Sequence, residues 1–317
     1  MTVETDVLGA PYTAETIRFP PDAEGPVVAT LVRRSADAPT RRAVLHVHGF
    51  ADYFFQTEYA EWWNARGYDF YAIDLRTHGR SLLPHQRPNY VRDLALHGHE
   101  LDLAAAAIRA EGHHHLVVNG HSTGGLLAVL WAQARRDRVP PVVDALVLNS
   151  PWFDLNRPWF DRVVTTRAVD VLGRFAPHLV VGQIAPFYGQ SIHRDTGGDW
   201  QYDLAWKPHE GFGVRAGWLR SVRRGHRAVS RGLDLDIPVL VCASDATGPR
   251  DRRHDALDRT DSVLAVEHIV ERAPLLGPDV TVVQVPGGVH DLALSPEPAR
   301  TAYLDAVHSW VRSRLPA

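Results

Sequence analysis

The sequence contains very little cysteine and lysine. Cys242 is the sole cysteine among 317 residues, so a disulfide within the chain and a cysteine metal cluster are both excluded. Lys207 is the sole lysine, and all other basic residues are arginines. The formal net charge is −3 and no basic block is present, which argues against a nucleic-acid partner.

Long apolar runs are also missing. None approaches the roughly 20 residues that a membrane-spanning helix needs. The N-terminal residues MTVETDVLGAPYTAETIRF contain neither the basic segment nor the apolar core of a signal peptide. Hydrophobic residues make up 45% and charged residues 22%, as in globular proteins, so a disordered, collagen-like or coiled-coil chain is excluded. We therefore expect a cytoplasmic, soluble protein.

Apolar runs typical of strands alternate with helical patterns along most of the chain. Strands are predicted at 27–34, 43–50, 68–75, 115–120, 144–150, 237–244 and 280–286. Helices are predicted at 55–66, 100–110, 124–135, 263–273 and 298–314. Such alternation predicts an α/β architecture, with a parallel sheet that carries helices on both faces.

The alternation is interrupted between Pro151 and residue 237. Segment 151–236 is rich in tryptophan and other aromatic residues. Because the sheet needs strands from both sides of this segment, we interpret 151–236 as a helical insertion that rests on one α/β unit. That unit comprises residues 1–150 and 237–317.

A G-x-S-x-G motif, Gly120-His121-Ser122-Thr123-Gly124, lies between a buried strand and an apolar helix. In this context the motif forms a sharp turn that presents the serine at the carboxyl edge of the sheet. The helix N-terminus favours negative charge that develops beside Ser122. Ser122 is therefore the candidate nucleophile, and the alternative is a glycine-rich turn with an incidental serine.

A serine hydroxyl needs an adjacent base that a carboxylate orients. In enzymes with this turn the chain order is serine, acid, histidine. Gly287-Gly288-Val289-His290 directly follows the last predicted strand, so His290 is the candidate base. The backbone amides of Phe50, at the end of strand 43–50, and of Thr123 are candidate donors of an oxyanion hole.

Four motifs together resemble the α/β-hydrolase superfamily, and within it the serine aminopeptidase S33 and monoglyceride lipase-like (lysophospholipase-like) branch. They are 48–50, 74–81, 120–125 and 287–290. The resemblance implies an α/β-hydrolase fold with an eight-stranded, mostly parallel sheet, a Ser-His-Asp hydrolase, and a helical cap inserted after the sixth strand. Segment 151–236 would be the cap. Thr77 departs from the family, which commonly has glycine there, and we expect only a local change.

The acid must follow strand 237–244, so that its carboxylate reaches the far nitrogen of His290. Asp245 follows that strand at once, whereas family members usually place the acid slightly later. Asp261 precedes an apolar-periodic segment, which is similar to the family pattern of acid, hydrophobic pair and helix. We predict Asp261, with Asp245 as the alternative; either could instead be a helix cap.

Trp152 and Phe153 follow the end of strand 144–150 and are the candidate substrate-binding residues, although aromatic residues of the insertion can equally pack the core. The histidine groups lack metal-ligand spacing, so no metal is predicted. No phosphate-binding or dinucleotide-binding loop follows a strand, so no cofactor is expected.

We therefore predict a serine hydrolase that cleaves carboxylic esters, as a carboxylesterase or as a lysophospholipase- or monoacylglycerol lipase-like enzyme. The expected partner is a small-molecule ester with an apolar acyl group. The same triad could serve an aminopeptidase, an amidase or an acyltransferase, because specificity lies in the insertion. A non-catalytic scaffold that binds a small ligand is a further alternative. The sequence does not define the oligomeric state.

Overall fold

The computed structural model describes residues 3–155 and 169–315. In chain order, its strands are β1 (Val3–Thr5), β2 (Thr13–Asp22), β3 (Gly25–Arg34), β4 (Arg42–Val47), β5 (Asp69–Asp74), β6 (His115–His121), β7 (Ala145–Asn149), β8 (Val180–Gly182), β9 (Val214–Arg215), β10 (Val239–Ser244) and β11 (Val280–Val285).

The α-helices are α1 (Thr57–Asn64), α2 (Ala95–Ala110), α3 (Thr123–Ala134), α4 (169–175), α5 (Phe187–Ile192), α6 (Ala216–Ser230), α7 (Val266–Arg272) and α8 (Ala299–Arg314). Short 3-10 helices lie at Gly79–Ser81, Arg194–Thr196, Ala273–Leu275 and Leu292–Leu294. Two predicted helix starts differ from the structure by three residues or more: α2 begins at residue 95 rather than 100, and α7 at 266 rather than 263.

Nine of these strands form one sheet in the order β1-β2-β3-β5-β4-β6-β7-β10-β11. From β5 to β11 the neighbours are parallel, and β1, β2 and β3 are antiparallel to their partners. The expected eight-stranded, mostly parallel sheet of the α/β-hydrolase fold is therefore present, with the three-residue strand β1 added at its edge. The sequence pattern predicts neither β1 nor β2.

The central strands are apolar on both faces because each face carries its own hydrophobic core. In β6, Leu116 and Val118 belong to the core under α2 and α3, whereas Val117 belongs to the core under α1 and α8. All three side chains are fully buried. A continuous apolar run is what a doubly covered parallel strand requires, and it fixes β4, β6, β7 and β10 in the middle of the sheet.

Between β7 and β10 lies the segment from 151 to 236, of which residues 156–168 are outside the described part. The remainder contains α4, α5 and α6, together with β8 and β9, which pair antiparallel in a separate two-stranded sheet. The sequence had suggested helices alone. Trp218 of α6 belongs to the same core as β4 and α3, so this segment packs directly on the main sheet.

No helix of residues 3–155 or 169–315 is both long and apolar enough to span a bilayer. The cytoplasmic location stays a prediction of the sequence.

Candidate active site

Ser122 lies in the turn between β6 and α3 with φ 52° and ψ −117°. This conformation is rare for a residue with a side chain, and such strain recurs at functional sites. The neighbouring glycines allow it. A Cβ on Gly124 would lie 2.2 Å from the Val47 carbonyl oxygen, and one on Gly120 would lie 2.7 Å from the Gly125 Cα.

Ser122 and His290 are brought together by two strands that end at the same edge of the sheet. Ser122 Oγ lies 3.1 Å from His290 Nε2, and His290 Nδ1 lies 2.9 Å from Asp261 Oδ2. Because a carboxylate has no proton to donate, His290 Nδ1 donates to Asp261 and leaves Nε2 free to accept the serine proton. Asp261 is fully buried, and Ser122 is 8% exposed.

Asp261 has a second set of contacts that holds its carboxylate in place. Its Oδ1 accepts hydrogen bonds from the amides of Val263 and Leu264, both at 2.8 Å. Asp261 therefore caps a turn and faces His290 at the same time, although α7 itself begins five residues later. Asp245 instead accepts the Gly287 amide at 3.0 Å through its carboxylate, and no contact of Asp245 with His290 is found among the described residues.

The residue after His290 anchors its loop to the sheet. Asp291 accepts hydrogen bonds from Asn149 Nδ2 at 2.7 Å and from Gln56 Nε2 at 3.2 Å. Its amide donates to the hydroxyl of Tyr188 at 3.0 Å, and the Tyr188 ring stands edge-on to His290. The backbone that carries His290 is thus fixed from below by the sheet and from above by α5.

The two predicted oxyanion amides lie beside the serine. Gly49, which precedes Phe50, is so close to Ser122 that a Cβ would lie 3.2 Å from the serine Cβ. Thr123 is the first residue of α3, where backbone amides lack partners within the helix. Within residues 3–155 and 169–315, neither amide has a hydrogen-bond acceptor.

His48 braces the loop that carries Phe50. The amide of Leu75 donates to His48 Nε2 at 3.1 Å, so Nδ1 carries the proton and donates to the Gly49 carbonyl at 2.8 Å. Burial lowers the pKa of His48 and lowers that of His121 to about 4. The imidazoles of His48 and His121 are therefore neutral at pH 7.

A cavity of about 750 Å³ opens over Ser122 and His290. Trp152 lines it, as do Phe50 and Thr123, whereas the structure does not bring Phe153 to the cavity. Phe153 is 1% exposed and packs in the core. One of the two aromatic residues therefore faces the cavity and the other packs in the core.

Asp52 and Lys207 line the cavity, although the sequence does not predict a role in the site for either, and Tyr188 is one of several aromatic residues of the insertion that the sequence does not distinguish. Asp52 follows the oxyanion loop, and Tyr188 and Lys207 come from the segment between β7 and β10. The Lys207 ammonium lies 2.6 Å from Asp52 Oδ1. Lys207 is distinctive in the sequence only as the sole lysine, and its contact with Asp52 spans 155 positions.

No group of three or more histidine, cysteine, aspartate and glutamate residues in the described part of the chain is arranged to hold a metal ion. The hydrogen-bonded series from Ser122 to Asp261 needs no such ion for nucleophilic chemistry, since it already contains a base and its orienting carboxylate.

The fold is shared with several solved hydrolases. A soluble variant of monoglyceride lipase from Saccharomyces cerevisiae, solved with a substrate analogue, has a TM-score of 0.69 at 15% identity, over 96% of both chains. The monoacylglycerol lipase of Paleococcus ferrophilus gives 0.62 at 21% identity, over 90% of this chain and 99% of the other. A thermostable carboxyl esterase from Bacillus coagulans gives 0.66 at 13% identity, over 95% and 98%.

The sheet order and these likenesses define an α/β-hydrolase. The family model described as serine aminopeptidase, S33, matches residues 38–297. The chain therefore belongs to the serine aminopeptidase S33 family and is an enzyme of the serine hydrolase class. Comparison with curated proteins found no significant match.

Proposed function

We propose that this enzyme cleaves carboxylic esters, as a carboxylesterase or as a lysophospholipase- or monoacylglycerol lipase-like hydrolase. One observation carries the proposal: Ser122, His290 and Asp261 form a hydrogen-bonded series at the wall of a large cavity. The strained backbone of Ser122 supports the same chemistry, as do the amides of Phe50 and Thr123, which have no acceptor in the described part of the chain.

In the proposed mechanism Ser122 Oγ attacks the acyl carbon while its proton passes to His290 Nε2. The amides of Phe50 and Thr123 donate to the oxyanion, and Asp261 stabilises the imidazolium. The tetrahedral intermediate collapses, and the leaving alcohol takes the proton from His290. Water then attacks the acyl-enzyme with His290 as base, which releases the acid and restores Ser122.

We assign residues 1–150 and 237–317 to the catalytic domain and 151–236 to a cap. Support comes from the lining of the cavity, to which this segment contributes both polar and apolar side chains. Its apolar members include Val181, Val214 and Trp218, and Trp218 packs near Trp152 with ring centroids 5.9 Å apart. An apolar acyl chain fits this side of the cavity.

An aminopeptidase would need a carboxylate to bind the ammonium group of a peptide N-terminus. Of the carboxylates in the described lining of the cavity, Asp52 is paired with Lys207 and Asp251 is exposed. This arrangement favours ester substrates over free N-terminal peptides. Amide hydrolysis and transfer of the acyl group to a second alcohol are distinguished by the experiment below.

The test combines covalent labelling with a substrate panel. The wild-type protein should react with a fluorophosphonate probe at Ser122 and should hydrolyse p-nitrophenyl esters and lysophospholipids faster than aminoacyl anilides. Trp152→Ala should change the preference for acyl length by about 1–3 kcal/mol, as relative kcat/KM. Failure of the folded protein to label at Ser122, or faster turnover of the anilides, contradicts the proposal.

A further inference from the structure

Asp52 places a carboxylate at the base of the oxyanion loop. It is 1% exposed, and its Oδ2 accepts the Gly49 amide at 3.4 Å. Gly49 immediately precedes Phe50, and a Cβ on Gly49 would lie 3.2 Å from the Ser122 Cβ. The proposed reaction develops a negative charge on the substrate oxygen at this place, and a buried negative charge nearby opposes it because the interior screens charges weakly.

Lys207, which belongs to the insertion, supplies the counter-charge. Its ammonium lies 2.6 Å from Asp52 Oδ1, and it is the sole lysine of the chain. The rings of Phe55 and Tyr202 each have their centroid 5.7 Å from the ammonium. Burial raises the pKa of the Asp52 carboxyl, but the positive charge of Lys207, together with the other groups nearby, lowers it by a larger amount. The pKa of Asp52 therefore lies well below its usual range.

The segment that carries Lys207 is itself fastened to the oxyanion loop. The amide of Asp203 donates to the hydroxyl of Tyr53 at 2.7 Å, and Trp206 packs edge-on against the Tyr53 ring. Gly211, with φ +63°, sits so close to Ala51 that a Cβ there would lie 3.3 Å from the Ala51 Cβ. These contacts therefore hold the Lys207 ammonium beside the Asp52 carboxylate.

We propose that Lys207 is a positioning residue for catalysis, which acts through Asp52. It neutralises the Asp52 carboxylate, so that Asp52 orients the Gly49–Phe50 turn without opposing the oxyanion. This inference rests on the proposed ester hydrolysis. It gives the insertion an electrostatic part in the reaction, in addition to shaping the substrate cavity.

The inference predicts an asymmetry between the two partners. Lys207→Met leaves the Asp52 carboxylate uncompensated, so kcat should fall by about 10- to 100-fold with a smaller change in KM. Asp52→Asn keeps an acceptor for the Gly49 amide and removes the charge, so its loss should be smaller. The double variant should recover to within about threefold of wild type, and Lys207→Arg should also recover.

If the Lys207–Asp52 ion pair only held the two segments together, both single variants should lose activity equally and the double variant should recover none of it. That pattern, or a Lys207→Met enzyme with wild-type kcat, overturns the inference. Arg135→Met is the matched control, because Arg135 pairs with Asp102 at 2.6 Å and is similarly buried but lies outside the cavity. Thermal unfolding of each variant reports whether the fold is retained.

The rate at which a fluorophosphonate labels Ser122 is measured in parallel. Phosphonylation also places negative charge on an oxygen at the oxyanion site, so the same order of variants is expected. This arm needs no ester turnover. A wild-type protein that labels but cleaves no ester contradicts the proposed function alone, whereas equal labelling of wild type and Lys207→Met contradicts the inference alone.

Discussion

The short stretch Thr260–Ser262 takes part in two serine–histidine arrangements. In the first the histidine accepts a proton from the serine, and in the second it donates one to the serine. In the first pair, His290 Nδ1 faces the Asp261 carboxylate at 2.9 Å and Nε2 faces Ser122 at 3.1 Å. The carboxylate requires a proton on Nδ1, so Nε2 is the acceptor. His290 is thereby arranged to take a proton from the serine.

In the second pair the histidine is the donor. The amide of Ala256 donates to His254 Nδ1 at 3.2 Å, so the proton is on Nε2, which lies 3.0 Å from Ser262 Oγ. The Ser262 hydroxyl then donates to Thr260 Oγ1 at 3.3 Å, because the Thr260 hydroxyl already donates to the Ala256 carbonyl at 2.7 Å. His254 has no lone pair directed at Ser262.

The difference shows that proximity of serine and histidine does not make a base. What decides is the group that faces the other ring nitrogen: a carboxylate in one pair and a backbone amide in the other. Ser262 also lines the cavity, so access to substrate does not separate the two serines. Of these two serines, Ser122 alone combines an accepting histidine with a strained turn at a helix N-terminus.

The largest expected difference in activity is between the single variants Ser122→Ala and Ser262→Ala. Ser122→Ala should lower kcat for p-nitrophenyl esters on the order of 10⁶-fold and abolish fluorophosphonate labelling, since no other serine in the described part of the chain faces an accepting imidazole. Ser262→Ala removes a hydroxyl of similar access and should keep labelling at Ser122. Labelling at Ser262, or labelling that survives in Ser122→Ala, would contradict the assignment of Ser122 as the nucleophile.

Asp261→Asn should give His290 the protonation pattern of His254. Asp261→Asn places an amide opposite His290 Nδ1, and when its NH₂ group faces the ring, the proton moves to Nε2 as in His254. The side-chain oxygen can still accept the Val263 and Leu264 amides, so the fold should be retained. We expect kcat to fall by up to about 10⁴-fold.

Asp245→Asn is the matched control for that variant, because Asp245 also follows β10 but contacts the Gly287 amide. Its effect on kcat should be mild. The reverse ordering of the two variants would assign the acid to Asp245 and leave Ser122 and His290 in their proposed roles. Thermal unfolding shows whether either loss comes from the fold.

The sequence was informative where a local backbone constraint or a family pattern was present. The turn around Ser122 needs glycine at positions 120 and 124, and these residues stand there. Thr77 has φ 65°, a region that favours glycine, which explains why the family commonly has glycine at that position. Strand β2 was not predicted, because Pro20 and Pro21 at its end resemble a loop.

Contacts between distant segments left no such signal. Asp52 and Lys207 have no periodicity or spacing in common, and they meet only because the insertion folds back over β4. Trp152 and Phe153 differ by one position, and the direction of the chain after β7 decides which of them faces the cavity. These outcomes depend on tertiary packing, so neither composition nor pattern could predict them.

The smallest expected effect comes from the histidine of the second pair. His254→Ala removes the hydrogen bonds to Ala256 and Ser262, and each neutral bond of this kind contributes about 1 kcal/mol to the free energy of unfolding. We expect a loss of about 1–2 kcal/mol, measured by urea denaturation. Asp261 should keep its place, because its amide donates to the Ala246 carbonyl at 2.9 Å and its carbonyl accepts the Gly248 amide at 2.8 Å.

Activity of the His254→Ala enzyme should therefore change by less than about tenfold, since this part of the loop holds Asp261 without His254. The matched variant, His290→Ala, should lose activity on the order of 10⁶-fold with a comparable change in unfolding. If His254→Ala lost as much kcat as Asp261→Asn while its unfolding stayed near wild type, the second pair would be coupled to the first. The two histidines would then act as one network, with His254 setting the position of Asp261 through Ser262.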